Sequence, residues 1–596
     1  MTKKVYMKRS TSLAFAISFL LGSQASYALT PWQDGAPEII IYTSGGAAQD
    51  KAYGEVVKKT LASSGTLDIF DDVNPKNGNV GSRWTSYFFI GNKNLGEGLA
   101  DKKILLEKRI AGAAGYGVVP LVAPVPVAIE HLNITATKAA DWQSNNPATL
   151  VANAPNLWKA EISNINGTKF LTKKVSDAGF LGIDPNSLLK PGTENYPTPV
   201  NEVITGKPEL KWPTNIKSVP SQFNVIPTGG LVYGVGVTQD LYQVLQVAQK
   251  RAGILPSTVK VGGYSESDLP TLNRNVLGSF FAGKIGNWEQ FTFVDQATGK
   301  TKSLLDEDVL TEAGVAKPSK NADKLTPVGV GRRNNGAAIG GVAYAKLLNY
   351  PGSANSIPPA RPTANKATDE SVALPIVKSP TGTSDTGNLL KDWQAGTNVS
   401  GYNNVVEGAG NARIWGLAFN SADRNNSVKA DGTGGDAWRY IKVDGYAPTL
   451  TNVAAGNYPL WAEGTFIYLK KNAKDGLWES KTKLLKTLAD DLGSPTVANS
   501  VNTNQPWGKT GIFATTADPR GFVNDVPFQD ANPVVPFSHI GSDGIVHLEI
   551  TPVTRCSTFL VESMTHFPAK LFYQKQLKSG EEPCRLKTLS FMCIAV

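Results

Sequence analysis

Two adjacent arginines, Arg332 and Arg333, stand between an apolar stretch and a run of small residues in Gly329-Val-Gly-Arg-Arg-Asn-Asn-Gly-Ala-Ala-Ile-Gly-Gly-Val-Ala-Tyr-Ala-Lys-Leu-Leu348. Leu325 to Val330 reads as a strand, Asn335-Gly336-Ala337 as a turn, and the rest as a helix. The first backbone N–H groups of a helix have no partner inside it, so an anion can sit there. Two guanidinium groups at the same place would hold one. The plainer reading is a strand–loop–helix unit with two surface arginines.

Other chemistries find little support. All three cysteines (Cys556, Cys584, Cys593) and three of the four histidines (His539, His547, His566) follow residue 538. The rest has only His131, which leaves no disulfide framework, no Cys/His metal cluster and no Cys–His pair. His131 follows Ile129-Glu130 in apolar surroundings and reads as structural. There is no G-x-S-x-G elbow, and the acids Asp240, Glu289 and Asp423 are scattered, so an enzyme is not expected and no cofactor is called for. Asp431-Gly-Thr-Gly-Gly-Asp436 lacks the spaced ligands and closing Glu of a calcium loop and reads as a plain turn. Trp288 and Trp415 sit among apolar residues and read as core, and Arg413 reads as surface rather than cleft.

Charge narrows the partners. The formal charge is +9, but residues 1–28 carry +4 and residues 551–596 carry +3, which leaves +2 for 29–550. That is no nucleic-acid footprint. Lys3, Lys4, Lys8 and Arg9, the apolar run Leu13 to Leu21, and Ser26-Tyr27-Ala28 make an export signal cleaved after Ala28. No later run reaches the roughly 18 apolar residues of a membrane span. An exported, periplasmic or secreted, protein is expected. Residues 551–596 are either a distinct appendage or the product of a shifted reading frame.

The elements that must position the arginines alternate. Glu38 to Tyr42 reads as a buried strand, Ser44-Gly-Gly-Ala-Ala-Gln-Asp50 as a turn, and Lys51 to Leu61 as a helix. Ile104 to Ile110 reads as a partly alternating strand before the glycine turn Ala111 to Gly117. Leu231 to Val237 reads as a buried strand, Leu241 to Lys250 as a helix, and Gly464 to Lys470 as a core strand. Strands alternating with helices predict an α/β fold. Residues 133–220 and 351–386, rich in polar residues and proline, read as surface insertions.

Four segments, in order, resemble periplasmic phosphate-binding proteins, the receptors of phosphate ABC importers. Asn275 to Trp288 ends in Gly-Lys-Ile-Gly-Asn-Trp, like the family's G-K-I-x-x-W segment. Val443-Asp-Gly-Tyr-Ala-Pro-Thr to Gly456-Asn-Tyr-Pro459 is similar to D-G-x-x-P-T…G-x-Y-P. Thr43 to Tyr53 resembles the first glycine loop, and the arginine turn resembles R-R-x-D-G-S-G-T. The resemblance implies a two-lobed type 2 periplasmic-binding-protein fold with a hinge and long insertions. Lobe 1 would be 29–232 plus 441–550, and lobe 2 would be 233–440. A phosphate or related oxyanion would lie between them, and lobe closure would signal to ABC-transporter membrane subunits. The ligand would meet Ser44, Gly46, Ala47 and Ala48 on one side and Arg332, Arg333, Asn335, Gly336 and Ala337 on the other.

The departures bear on specificity. Arg333 matches the family arginine, but Asn335 replaces Asp, and Ala337 and Ile339 replace Ser and Thr. Ala47 and Ala48 stand where a hydroxyl is expected. Gly112-Ala-Ala-Gly115 resembles G-S-S-G without its serines, and in Asp177 to Pro185 Leu181 and Gly182 replace a Ser-Asp pair. Each hydrogen bond to a charged group is worth roughly 1.5–3 kcal/mol, so three or four losses cost about 5–10 kcal/mol. A micromolar site is worth roughly 8 kcal/mol. A carboxylate accepts the proton of hydrogen phosphate and repels a fully deprotonated anion; an amide can donate as well as accept, so that filter is lost. The expectation is an exported solute-binding protein with weakened or altered anion specificity. The alternative is a binding fold turned to a surface or protein-interaction role, with no small-molecule ligand.

Overall fold

The computed structural model describes residues 31–515, except 33, 76–77, 145–154, 209–215, 217, 322–323, 352–355, 364–373 and 404–411, together with 534–535. The leader, the tail with its cysteines, and His539, His547 and His566 lie outside the described residues.

Strands and helices alternate around one mixed sheet, the α/β arrangement expected. Along its main path the order is Ile376–Lys378, Val328–Gly331, Trp415–Ser421, Phe223–Thr238, Trp461–Leu469, Ala178–Leu181, Ile39–Gly45, Lys103–Arg109, Val80–Ile90, Asp68–Val73, Asn156–Glu161 and Gln143–Ser144. The strand Phe223–Thr238 links the two halves of that path. Its first part runs antiparallel to Trp461–Leu469, and its last part lies between Trp415–Ser421 and Trp438–Val443. The register slips between Pro227 and Gly230, where a proline cannot donate to the ladder. Gly234 and Gly236 keep the strand's far half bare, because a Cβ there would sit 2.6 Å from Tyr440 and 3.0 Å from Trp438.

Apolar side chains fill both faces of the sheet. Ile69, Tyr87, Phe89, Ile104 and Leu106 belong to the large core, while Phe70, Trp84, Phe88 and Leu105 face a second, aromatic cluster. Trp288 and Trp415 are core residues as predicted, and the Trp288 indole N–H donates to the Trp415 carbonyl at 3.0 Å. No helix among the described residues is long and apolar enough to cross a membrane.

Several sequence readings need correction. Residues 133–220 are not simply a surface insertion. Ala178–Leu181 is a central strand, parallel to Ile39–Gly45 and antiparallel to Trp461–Leu469. Asn156–Glu161 pairs in parallel with Asp68–Val73. Ile376–Lys378, inside the second supposed insertion, pairs in parallel with Val328–Gly331. The strand Lys103–Arg109 does not alternate between core and solvent, because all residues from Ile104 to Arg109 are buried. Glu107, Lys108 and Arg109 break the apolar pattern yet lie inside, where Ser86 bonds Glu107 and Asp50 pairs with Lys108.

Candidate functional site

The short strand Val328–Gly331 runs between two neighbours, and Gly329 leaves no room for a Cβ beside Trp393 and Ile414. The strand delivers Arg332 and Arg333 to its end. Gly336 then takes φ +82, a left-handed conformation that suits glycine, and the helix Ala338–Leu348 starts behind Ala337 without a side-chain cap.

Both arginines are buried, against the surface alternative, but they are satisfied differently. Arg332 is 1% exposed. It donates to the Ala360 carbonyl at 2.9 Å, to Glu194 at 3.0 Å and to the Asn335 side-chain oxygen at 2.5 Å. Its charge is therefore matched by a carboxylate of this chain. Arg333 is 5% exposed and, among the described residues, donates only to main-chain carbonyls, Pro380 at 3.2 Å and Thr381 at 2.6 Å. Among the described residues no carboxylate makes an ion pair with it. Burial pulls its pKa from 12.5 down to about 10, a shift that the field of the Asp385 carboxylate partly opposes.

Of the predicted loops, the glycine turn Ala111 to Gly117 touches the arginine turn, and the first loop packs against that glycine turn. The Gly115 N–H donates to the Gly336 carbonyl at 3.0 Å. Pro197 wedges between them, since a Cβ on Gly336 would lie 2.7 Å from it and one on Gly115 only 2.2 Å. On the other side of the glycine turn, Gly46 packs against Ala114, where a Cβ would lie 3.2 Å from the alanine. Gly182 bridges Ala48 to Tyr233, whose hydroxyl donates to the Gly182 carbonyl at 3.1 Å.

The first loop offers few free polar groups. Ser44 is buried, donates to the Tyr116 carbonyl at 2.8 Å and accepts from Ser176 at 2.9 Å. The Gly46 N–H is taken by the Phe180 carbonyl at 3.0 Å. Ala47 and Ala48 are half-buried against the core. His131 completes the Ser44–Ser176 chain, its Nε2 lying 3.1 Å from the Ser176 hydroxyl, while Nδ1 has no partner. Burial holds its pKa well below 6.5, so it stays neutral in a structural place.

Residues missed by the sequence reading decide the site's character. Glu194, Pro197, Pro380 and Thr381 all come from the two stretches read as insertions. Asn335, expected to face a ligand, spends its side-chain oxygen on Arg332. Asp177 caps the Tyr42 N–H at 2.9 Å and pairs with Lys481 at 3.3 Å, a structural use. Arg413 reaches Asp240 at 2.5 Å with its side chain partly exposed, as the surface reading expected.

Elsewhere, a pocket of about 510 Å³ opens beside Asp50, Asp71, Tyr87 and Lys108, away from the arginine turn. At the acidic-glycine turn, Arg439 donates to the Gly432 and Asp436 carbonyls, so a cation of the chain already holds the oxygens a calcium ion would need. Among the described residues no group of three or more His, Cys, Asp or Glu could hold a metal.

No protein-family model matches the chain, and no curated protein matches it. Solved structures give partial likenesses. A Clostridium perfringens protein named as a phosphate ABC-transporter substrate-binding protein, with phosphate bound, is 12% identical. The match covers 58% of this chain and 86% of that one, at a TM-score of 0.25. An ABC-type phosphate transport receptor from Vibrio cholerae is 12% identical over 56% of this chain and 82% of its own, at a TM-score of 0.23. A phosphate-binding protein from Stenotrophomonas maltophilia is 13% identical over 55% and 77%, at a TM-score of 0.23. Likenesses at such scores carry no argument about what this chain binds.

Proposed function

We propose that the chain is an exported solute-binding protein that takes an anion at the Arg333 turn, with weak discrimination among anions. The observation that carries this reading is the buried Arg333 guanidinium, which donates to carbonyls and makes no ion pair among the described residues. A buried charge without a partner is costly, and an anion beside a helix start is the natural way to offset it. The lost hydroxyls and the Asp-to-Asn change support weak selectivity, because charge and backbone N–H groups attract anions without sorting them.

In this reading residues 29–232 with 441–550 form one lobe and 233–440 the other, joined through Phe223–Thr238 and its neighbours. Ser44, Gly46, Ala47 and Ala48 then line the first lobe's side, with Asn335, Gly336 and Ala337 opposite. Periplasmic placement and docking to ABC-transporter membrane subunits belong to the same proposal.

A second reading keeps the fold but not the ligand. It is favoured by the Glu194–Arg332 pair and by the direct Gly115–Gly336 bond, which fill with protein the space a ligand would use. Calorimetric titration of the full chain with phosphate, sulfate and arsenate separates the two. Heat that disappears in Arg333→Ala supports the anion reading; no heat with any of the three supports the second.

A further inference from the structure

Glu194 lies far from the arginines in sequence and is held against them from several directions. Its Oε2 is 3.0 Å from Arg332, and its Oε1 is 3.4 Å from Arg361, which is 87% exposed. Its backbone N–H donates to the Tyr350 hydroxyl at 2.7 Å. One residue on, Asn195 is buried close to Gly341 in the helix that follows the arginines, and Pro197 is wedged between Gly115 and Gly336. Lys190 reaches the Pro351 carbonyl at 3.3 Å. The carboxylate is thus a fixed part of the site, not a swinging surface group.

Its effect is on charge. Two guanidinium groups on adjacent residues would give +2. Glu194 offsets Arg332 and is shared only with the exposed Arg361, whose charge solvent screens, and Asn335, an amide, adds nothing. Arg333 keeps its positive charge without an ion pair among the described residues, and the field of the Asp385 carboxylate offsets only part of the cost of burying it. A singly charged anion neutralises it. A doubly charged one leaves a surplus negative charge in a buried setting, where the field of Glu194 also acts against it.

We propose that Glu194 sets the charge preference of the site. By occupying Arg332 it leaves Arg333 as the arginine of this turn with no ion pair among the described residues, so the site takes a monoanion, a carboxylate or a monobasic oxyanion, in preference to a dianion. This rests on the reading of Arg333 as the anion's anchor. The chemistry of selection differs from that of a carboxylate that accepts a ligand's proton. Here the carboxylate touches an arginine and acts through the number of charges left over, so Glu194 is a positioning residue and not a ligand contact.

Perchlorate and sulfate test this, since both are tetrahedral and differ in charge. Their affinities for the full chain and for Glu194→Gln are measured at constant ionic strength. The expected result is a shift of the sulfate-to-perchlorate affinity ratio by about tenfold or more toward sulfate in Glu194→Gln, as a unit charge at effective protein dielectric implies. An unchanged ratio overturns the role of Glu194 while leaving the Arg333 site standing. Failure of both anions to bind either protein overturns both. Should Glu194→Gln not fold, the unmutated chain decides: sulfate bound more tightly than perchlorate and acetate overturns the proposal, and the reverse order supports it.

Discussion

Replacing each arginine in turn by methionine separates a structural cation from a ligand-holding one. Arg332→Met removes the partner of a carboxylate that is only 18% exposed and leaves the Ala360 carbonyl and Asn335 side chain without their donor. Breaking a buried pair from one side costs about 3–5 kcal/mol, and the partial exposure of Glu194 and its contact with Arg361 point to the low end, about 3. Arg333→Met has terms of both signs. The depression of the Arg333 pKa from 12.5 to about 10 means the charged form is disfavoured in the folded chain. At about 1.4 kcal/mol per decade this is a cost of roughly 3 kcal/mol, present at every pH below about 10, where the group is charged both folded and unfolded. Methionine relieves it. Against that gain, the Thr381 carbonyl loses the Arg333 donor at a cost of about 1–3 kcal/mol. The Pro380 carbonyl still has the Asn334 N–H at 3.3 Å. The net change for Arg333→Met is therefore within about 2 kcal/mol of zero. Urea unfolding in buffer free of phosphate and sulfate measures both. The expected result is a large loss for Arg332→Met and a small change of either sign for Arg333→Met. Equal large losses would refute the reasoning, because Arg333 would then be a structural arginine with no charge left for a ligand.

Other consequences concern stability and geometry. Asp68 is fully buried, neither of its oxygens has a hydrogen-bond partner among the described residues, and burial raises its pKa to about 8. Folding then favours the protonated acid, so its contribution is complete below about pH 4 and is lost as pH rises through about 8. Asp68→Asn should match the native chain near pH 4 and exceed it in urea stability at pH 7–9 by several kcal/mol; a gap that does not grow with pH contradicts this. His131 acts in the opposite direction. Its pKa is depressed, so stability is full above about pH 6.5 and falls as pH drops below it, a fall that His131→Gln should flatten when urea midpoints are followed from pH 7 to pH 5. Gly336→Ala places a Cβ 2.7 Å from Pro197 at a φ of +82, so it should part the Gly336 and Gly115 turns and destabilise the fold by about 1–3 kcal/mol; an unaltered unfolding midpoint would show that the wedge is loose.

Much of the framework was legible because it rests on local pattern. Leu231 to Val237 is a continuous apolar run and forms half of a 16-residue strand. The strand, turn and helix around Arg333 follow the order of apolar, glycine and small residues. The tryptophans were readable as core from their apolar neighbours. What stayed hidden depends on partners distant in the chain. Lys103–Arg109 carries three charged residues in a row that are buried because Ser86 and Asp50 come from other elements. Ala178–Leu181 has only four residues inside a polar stretch, too few for any period to show. Glu194 is unreadable for the same reason, as it meets Arg332 across 138 positions. The resemblance pointed to alanines where hydroxyls were expected, but not to Glu194 and Asn335 of this chain holding Arg332.

The proposed anion site stands or falls with Arg333, the arginine of this turn with no ion pair among the described residues. Calorimetry on the full chain, native and Arg333→Met, with phosphate, sulfate and perchlorate in otherwise anion-poor buffer, tests it directly. Measurable binding of at least one anion by the native chain, and none by Arg333→Met while the variant remains folded, is the expected result. Binding that survives in Arg333→Met, or no heat from the native chain with any of the three, would contradict it.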